Sequence, residues 1–198
     1  MSKQYFENNP DLASEPFEFT YYFKKNLLTF KSDNGVFSKR GVDFGSSLLL
    51  QNVQLNENDN VLDVGCGVGI IGITLAKSNP TVNVDMVDVN LRAINLAKDN
   101  CKTNQVSNTS VFESNAYTNV NKKYDCIVTN PPIRAGKKVV YDIILGSYDY
   151  LNDDGVMYCV IQKKQGAESS IKALKTIYKE VEVIDKDNGY FIIKCSKV

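Results

Sequence analysis

Asn130, Pro131, Pro132 and Ile133 follow directly on the apolar run Cys126-Ile127-Val128-Thr129, and these residue types in that order already imply a chemistry. Two prolines fix φ and stiffen the backbone before any ligand arrives. The side-chain amide of Asn130 and the main-chain carbonyl of Pro131 can then point into one cleft as two acceptors. Such a pair matches both hydrogens of an exocyclic NH₂ group. Gripping them draws the nitrogen lone pair out of conjugation and aims it at an electrophile, which positioning can achieve without a strong base. Arg134 and Lys137, with Lys138 beside them, supply cations suited to nucleic-acid phosphates or to stacking on a base.

A second group lies nearer the N-terminus. In Leu62-Asp63-Val64-Gly65-Cys66-Gly67-Val68-Gly69 an acid ends a strand pattern and glycines lead into a helix pattern. Glycines admit close approach of a ligand to the backbone, and the helix start offers unpaired N–H groups. A carboxylate at this place repels a pyrophosphate and attracts the ammonium of an amino-acid tail, which favours S-adenosylmethionine. Gly67, Gly69 and Gly72, with an acid about 20 residues on, also satisfy the dinucleotide fingerprint, so a nicotinamide cofactor stays open on this region alone. Asp88, followed by Val89, ends the next strand and suits a ribose diol in either cofactor. Asn115 and Ala116 end the third, where an amide and a backbone N–H can meet an adenine edge. Cys66, inside the glycine loop, and Cys126, inside a buried strand, lack a Pro-Cys or Thr-Cys setting and read as packing residues.

The elements that must position these groups alternate. Asn60–Gly65, Thr81–Val89, Thr109–Ser114, Tyr124–Asn130 and Gly155–Gln162 read as strands. Between them lie the helical patterns 69–78 and 91–102, a helix from Lys137 whose Val140, Ile143, Ile144, Ser147 and Leu151 share a face, and a last helix over 168–180. Repeated βα units imply a doubly wound α/β fold with a mostly parallel sheet and ligands at the strands' carboxyl ends. Val181–Cys195 closes as an antiparallel hairpin across Asp187-Asn188-Gly189. At the other end, residues 1–35 read as an N-terminal β-hairpin extension, a candidate lid or docking element, on a catalytic core of 36–198. The whole, 1–198, is expected to be a single domain.

Composition excludes several classes. Histidine is absent from the 198 residues, which removes Ser-His and Cys-His nucleophilic catalysis and the common histidine-bearing metal sites. Five scattered cysteines without Cys-x-x-Cys spacing argue against a disulfide framework or zinc site, and no metal is expected. A formal net charge of zero leaves nucleic-acid binding to a local patch. With no apolar span and no leader pattern, a cytoplasmic protein without membrane association is expected.

The glycine loop together with Asn130-Pro131-Pro132-Ile133 resembles the amino-methyltransferases of the class I S-adenosylmethionine-dependent, Rossmann-like type. The closing antiparallel hairpin is the ending of that class. Asn130–Lys137 with Gly35–Ser46 upstream resembles the small methyltransferase domain of the RsmC-like ribosomal RNA guanine-N2 methyltransferases, over the chain from Gly35 onward. The resemblance implies Asp63, Gly65, Cys66, Gly67 and Gly69 around the methionine part of the cofactor, Asp88 and Val89 at the ribose, Asn115 and Ala116 near adenine, and Asn130–Ile133 as the catalytic loop, with Asn130 also facing the cofactor. Phe37 would close over the cofactor. It further implies small-subunit (16S) ribosomal RNA, or the subunit itself, as partner. Two positions depart from the pattern: Asn115 stands where an aspartate is usual, and Ile133 where an aromatic often is. Isoleucine agrees with guanine N2 better than with adenine N6 or a protein glutamine, and leaves base stacking to Phe37 or a hairpin aromatic. A non-catalytic RNA-binding module is a further alternative, disfavoured by the intact Asp63, Asp88 and Asn130.

Overall fold

The computed structural model describes residues 8–9, 11–37 and 41–198; Ser38, part of the segment expected to cover the cofactor, lies outside them. The described chain starts with a hairpin of β1 (Phe17–Phe23) and β2 (Asn26–Ser32), followed by α1 (Phe44–Asn52). Alternation then sets in: β3 (Asn60–Val64), α2 (Ile70–Ser78), β4 (Asn83–Asp88), α3 (Leu91–Thr103), β5 (Thr109–Glu113) and β6 (Tyr124–Thr129). The last part holds α4 (Lys137–Ile144), α5 (Ser147–Tyr150), β7 (Leu151–Gln162), α6 (Ala167–Leu174), β8 (Glu180–Asp187) and β9 (Tyr190–Ser196).

Seven strands form one sheet in the order β5-β4-β3-β6-β7-β9-β8. The first five are mutually parallel, whereas β9 runs antiparallel to both β7 and β8. This is the doubly wound, Rossmann-like architecture, with the antiparallel ending in place.

Strand alternation sends neighbouring side chains to opposite faces. Cys126, Val128, Tyr158 and Val160 therefore join the cluster under α1, α2, α3 and the hairpin. Ile127, Met157, Cys159 and Ile161 join the one under α4 and α6. Each fully buried aliphatic of this size stabilises the fold by roughly 1.5–3 kcal/mol. No helix among the described residues is long and apolar enough to cross a membrane.

Two details differ from the sequence pattern. The helix starting at Lys137 is interrupted by a turn at Leu145-Gly146 before Ser147–Tyr150. A Cβ on Gly146 would collide with the Asp142 carbonyl oxygen and sit 3.1 Å from the Tyr117 ring, so the glycine admits the turn and, with it, the approach of that ring. The last helix stops at Leu174, short of the periodic pattern. Tyr178 is pulled inward beyond it, its hydroxyl 2.6 Å from Ser147 Oγ and its ring edge-on to Tyr148. Tertiary packing overrides helical propensity here.

The hairpin docks through an uncommon polar device. Asn104 bonds both the N–H and the carbonyl of Thr29 (2.9 and 2.8 Å). Asn100, one turn earlier, does the same for Lys31 (2.8 and 3.0 Å). Two side-chain amides, one in the last turn of α3 and one at its C-cap, thus satisfy an edge of β2 that would otherwise be unpaired.

Candidate functional site

The parallel strands diverge between β3 and β6, where the winding direction of the chain reverses. Pairing there ends at Asp63 and Val128. Beyond that point the Thr129 hydroxyl donates to the Val64 carbonyl (2.8 Å), holding the two strand ends as the crevice opens. A cleft of about 720 Å³ occupies this position.

One end of the cleft is made largely of backbone. Gly65 and Cys66 both donate N–H groups to the Val87 carbonyl (2.9 Å each), and Gly67 donates to Asp88 Oδ2 (2.8 Å). Gly65 (φ 73°) and Gly67 (φ 55°) adopt left-handed conformations, and a Cβ on either would project into space with no atom of the described residues, its chain neighbours aside, within 4 Å. That space is a cradle which side chains would fill. Asp88 Oδ1 accepts from the Asn90 N–H (2.9 Å), which orients the carboxylate toward the cleft it lines with Val89. Burial raises the Asp88 carboxyl pKa, while the N–H groups of Asn90, Gly67 and Val89 work against that shift. Asn115 and Ala116 line the far wall; Ala116 has φ 47°, and its carbonyl accepts from Ser114 Oγ (2.7 Å).

Asp63, Cys66 and Gly69 lie behind this cradle instead of lining it. Asp63 is fully buried, its Oδ2 accepting the Gly72 N–H (2.9 Å). A Cβ on Gly72 would come within 3.1 Å of that oxygen and collide with Met86, so this glycine lets α2 close onto β4. Asp63 Oδ1 has no hydrogen-bond partner among the described residues. Burial pushes the Asp63 carboxyl up to about 7, against the Gly72 N–H and with the charge of Asp88 adding to the rise. The Cys66 thiol is raised well above its ordinary value by burial and by Asp88 and Asp63, which leaves it inert as a nucleophile. Gly69 caps α2 at φ 92°, serving the turn.

The other end of the cleft is assembled from side chains. Asn130, Pro131, Pro132, Ile133 and Arg134 line it; the loop then tightens into a 3₁₀ turn over Ile133–Ala135. Asn130 Nδ2 donates to Asp43 Oδ1 (3.1 Å) and to Ser46 Oγ (3.0 Å). Among the described residues no donor reaches Asn130 Oδ1 or the Pro131 carbonyl. Lys137 is exposed and lies outside the lining, its ammonium 5.0 Å from the centre of the Tyr141 ring. Lys138 is paired with Asp142.

The hairpin strands contribute no lining residue. Among the described residues the aromatics at the cleft are Phe37 and Tyr190, and Tyr190 was not visible to sequence reasoning. It begins β9, and its ring lies 5.4 Å from that of Phe44. A Cβ on Gly45 would approach its Cε1 to 3.0 Å. Only the loose signal of an aromatic after the Asp187-Asn188-Gly189 turn marks it in the sequence.

The family model described as the methyltransferase small domain matches residues 27–194. This chain belongs to the methyltransferase small domain family. Among the relatives of this S-adenosylmethionine-dependent methyltransferase family is the Bacillus subtilis uncharacterized protein YbxB, 42% identical over all of both chains. The ribosomal RNA small subunit methyltransferase C of Erwinia tasmaniensis is 38% identical over 67% of this chain and 40% of its own length. The chain spans about half the length of the methyltransferase C relatives it matches. Among solved structures, the Thermus thermophilus 16S rRNA N2 G1207 methyltransferase, in complex with AdoMet and guanosine, has a TM-score of 0.85 at 23% identity, covering 96% of this chain and 52% of that one. Membership of the methyltransferase small domain family removes the nicotinamide-dependent oxidoreductase alternative. The residues present fit the family's cofactor: a glycine cradle, the Asp88 carboxyl group beside it, and the unpartnered Oδ1 of Asp63 behind.

Proposed function

We infer that this methyltransferase acts on an exocyclic amine, guanine N2 of small-subunit ribosomal RNA. The observation that carries this reading is the pair of acceptors at the mouth of β6, Asn130 Oδ1 and the Pro131 carbonyl, both without a donor among the described residues. They lie in the same cleft as Asp88 and the glycine cradle. The names of the methyltransferase C relatives and of the Thermus structure support ribosomal RNA and guanine N2.

When bound, S-adenosylmethionine supplies a methyl group on a sulfonium sulfur, which keeps the bonding electron pair on departure. Asp88 would hold the ribose, Asn115 and Ala116 the adenine edge, and Asn130 with Phe37 would face the reacting end. Asn130 and Pro131 take the two amine hydrogens, which localises the nitrogen lone pair and orients it. Orientation of this kind can supply about 7–11 kcal/mol of the barrier, so no imidazole is required. The proton released on methylation passes to water in the open cleft. Tyr190 and Phe37 provide the aromatic surfaces for the base that Ile133 does not, and Arg134 at the rim meets the RNA backbone. Lys137, farther out, is assigned to the same backbone. Residues 36–198 act as the catalytic core of a single domain, with 1–35 as its extension.

The test is methyl transfer from labelled S-adenosylmethionine to ribosomal RNA lacking its modifications, followed by nucleoside analysis. N2-methylguanosine is expected. N6-methyladenosine, or label in protein, would overturn the assignment.

A further inference from the structure

An asparagine amide has a donor end and an acceptor end that differ little in shape, so its usefulness in a site depends on which end faces the ligand. In this protein the choice is made by residues 84 and 87 positions away in sequence. Asp43 caps α1: its Oδ1 accepts the Ser46 N–H (3.0 Å) and, through the same oxygen, Asn130 Nδ2 (3.1 Å). A carboxylate only accepts, so the atom facing it must be the NH₂. Ser46 Oγ receives the same NH₂ group at 3.0 Å, and Ser46 is buried. Turning the amide over would set its carbonyl oxygen against a carboxylate.

The geometry points to Asp43 and Ser46 as positioning residues that lock Asn130 with its carbonyl toward the substrate, making the site selective for a group that donates two hydrogens over one that accepts. This rests on the amine reading above and adds to it the origin of the donor selectivity. The same turn of α1 also seats Tyr190 at Gly45, so one helix start supports both the acceptor and the aromatic wall.

Three variants separate the clamp from the cap. Asp43→Ser keeps a good N-cap residue but is too short and weak an acceptor to hold Asn130. Asp43→Asn keeps an oxygen for both donors without the charge. Ser46→Ala removes one acceptor only. Calorimetric binding of guanosine and of xanthosine, whose 2-position carries an oxo group instead of an amine, is measured in the presence of S-adenosylhomocysteine, together with kcat on ribosomal RNA.

The parent protein is expected to prefer guanosine. In Asp43→Ser that preference should fall about tenfold or more and kcat about a hundredfold. S-adenosylhomocysteine affinity and melting temperature should be unchanged. Ser46→Ala should show a smaller fall, and Asp43→Asn should keep most of both properties. An unchanged guanosine preference in Asp43→Ser would overturn the clamp while leaving the amine reading intact. A loss in Asp43→Asn as deep as in Asp43→Ser would assign the aspartate charge, not its position, to the reaction and equally overturn it. Absence of any guanosine preference in the parent protein would remove the amine reading and this inference with it.

Discussion

The two ends of the cleft are built in opposite ways. The glycine-loop end, proposed to hold the cofactor nucleoside, comes from the ends of three successive strands and is held largely by backbone bonds, with Val87 and Asp88 tying down Gly65, Cys66 and Gly67. The opposite end, proposed to hold the amine, gathers the start of α1, the loop after β6 and the first residue of β9, and is held by side chains. A backbone cradle depends on φ values that glycine supplies without strain. A side-chain site depends on one amide orientation, so single substitutions should divide cleanly between binding and turnover.

The largest effect is expected at the amine end. Asn130→Ala should lower kcat by about 10²–10³-fold, the range seen when one preorganised polar contact to a reacting group is lost. Affinity for S-adenosylhomocysteine, read by calorimetry, should stay near that of the parent protein. A matching loss of cofactor affinity would erase the division between the two ends.

Asp63 probes the nucleoside end through pH. Its folded-state pKa of about 7 lies above the ordinary carboxylate value of about 3.9, so the native state binds the proton more tightly than the unfolded chain does. The stability this confers is fully present below pH 4 and is lost as pH rises through 7. Asp63→Asn, which keeps an acceptor for Gly72, should flatten that slope by an amount on the order of a few kcal/mol. Urea midpoints between pH 4 and 8 measure it. A parallel pH dependence in parent and variant would mean that the carboxyl is not perturbed.

The smallest effect concerns the wall. Tyr190→Ala should weaken guanosine binding by about 1–3 kcal/mol, the worth of one base–aromatic stack, and Tyr190→Phe should leave it nearly intact. Equal losses in both variants would point to the hydroxyl instead of the ring.

The same contrast explains what could be read from the sequence. The glycine-loop end of the cleft was legible as a lining because Gly65 and Gly67, Asp88-Val89 and Asn115-Ala116 each follow directly on a strand pattern. Strand periodicity likewise revealed both hairpins. Reading the glycine loop did not reveal that Asp63 turns inward to Gly72 while Asp88 takes the Gly67 N–H. That depends on α2 pressing onto Met86, which only the packed fold defines. At the amine end Asn130 and the prolines were visible, but Asp43, Ser46 and Tyr190 are not adjacent to them in any periodic sense. Asn100 and Asn104 make the same point: no local pattern singles them out, yet both are buried and bond the hairpin backbone. Polar side chains recruited across the fold leave little trace in local pattern.

The most direct measurement is a crystal structure of the protein with S-adenosylhomocysteine and guanosine. The exocyclic nitrogen should lie about 3 Å from both Asn130 Oδ1 and the Pro131 carbonyl, with Asn130 Nδ2 still on Asp43 and the base against Tyr190. An amine bound elsewhere in the cleft, or an Asn130 side chain that turns its NH₂ to the ligand, would contradict it.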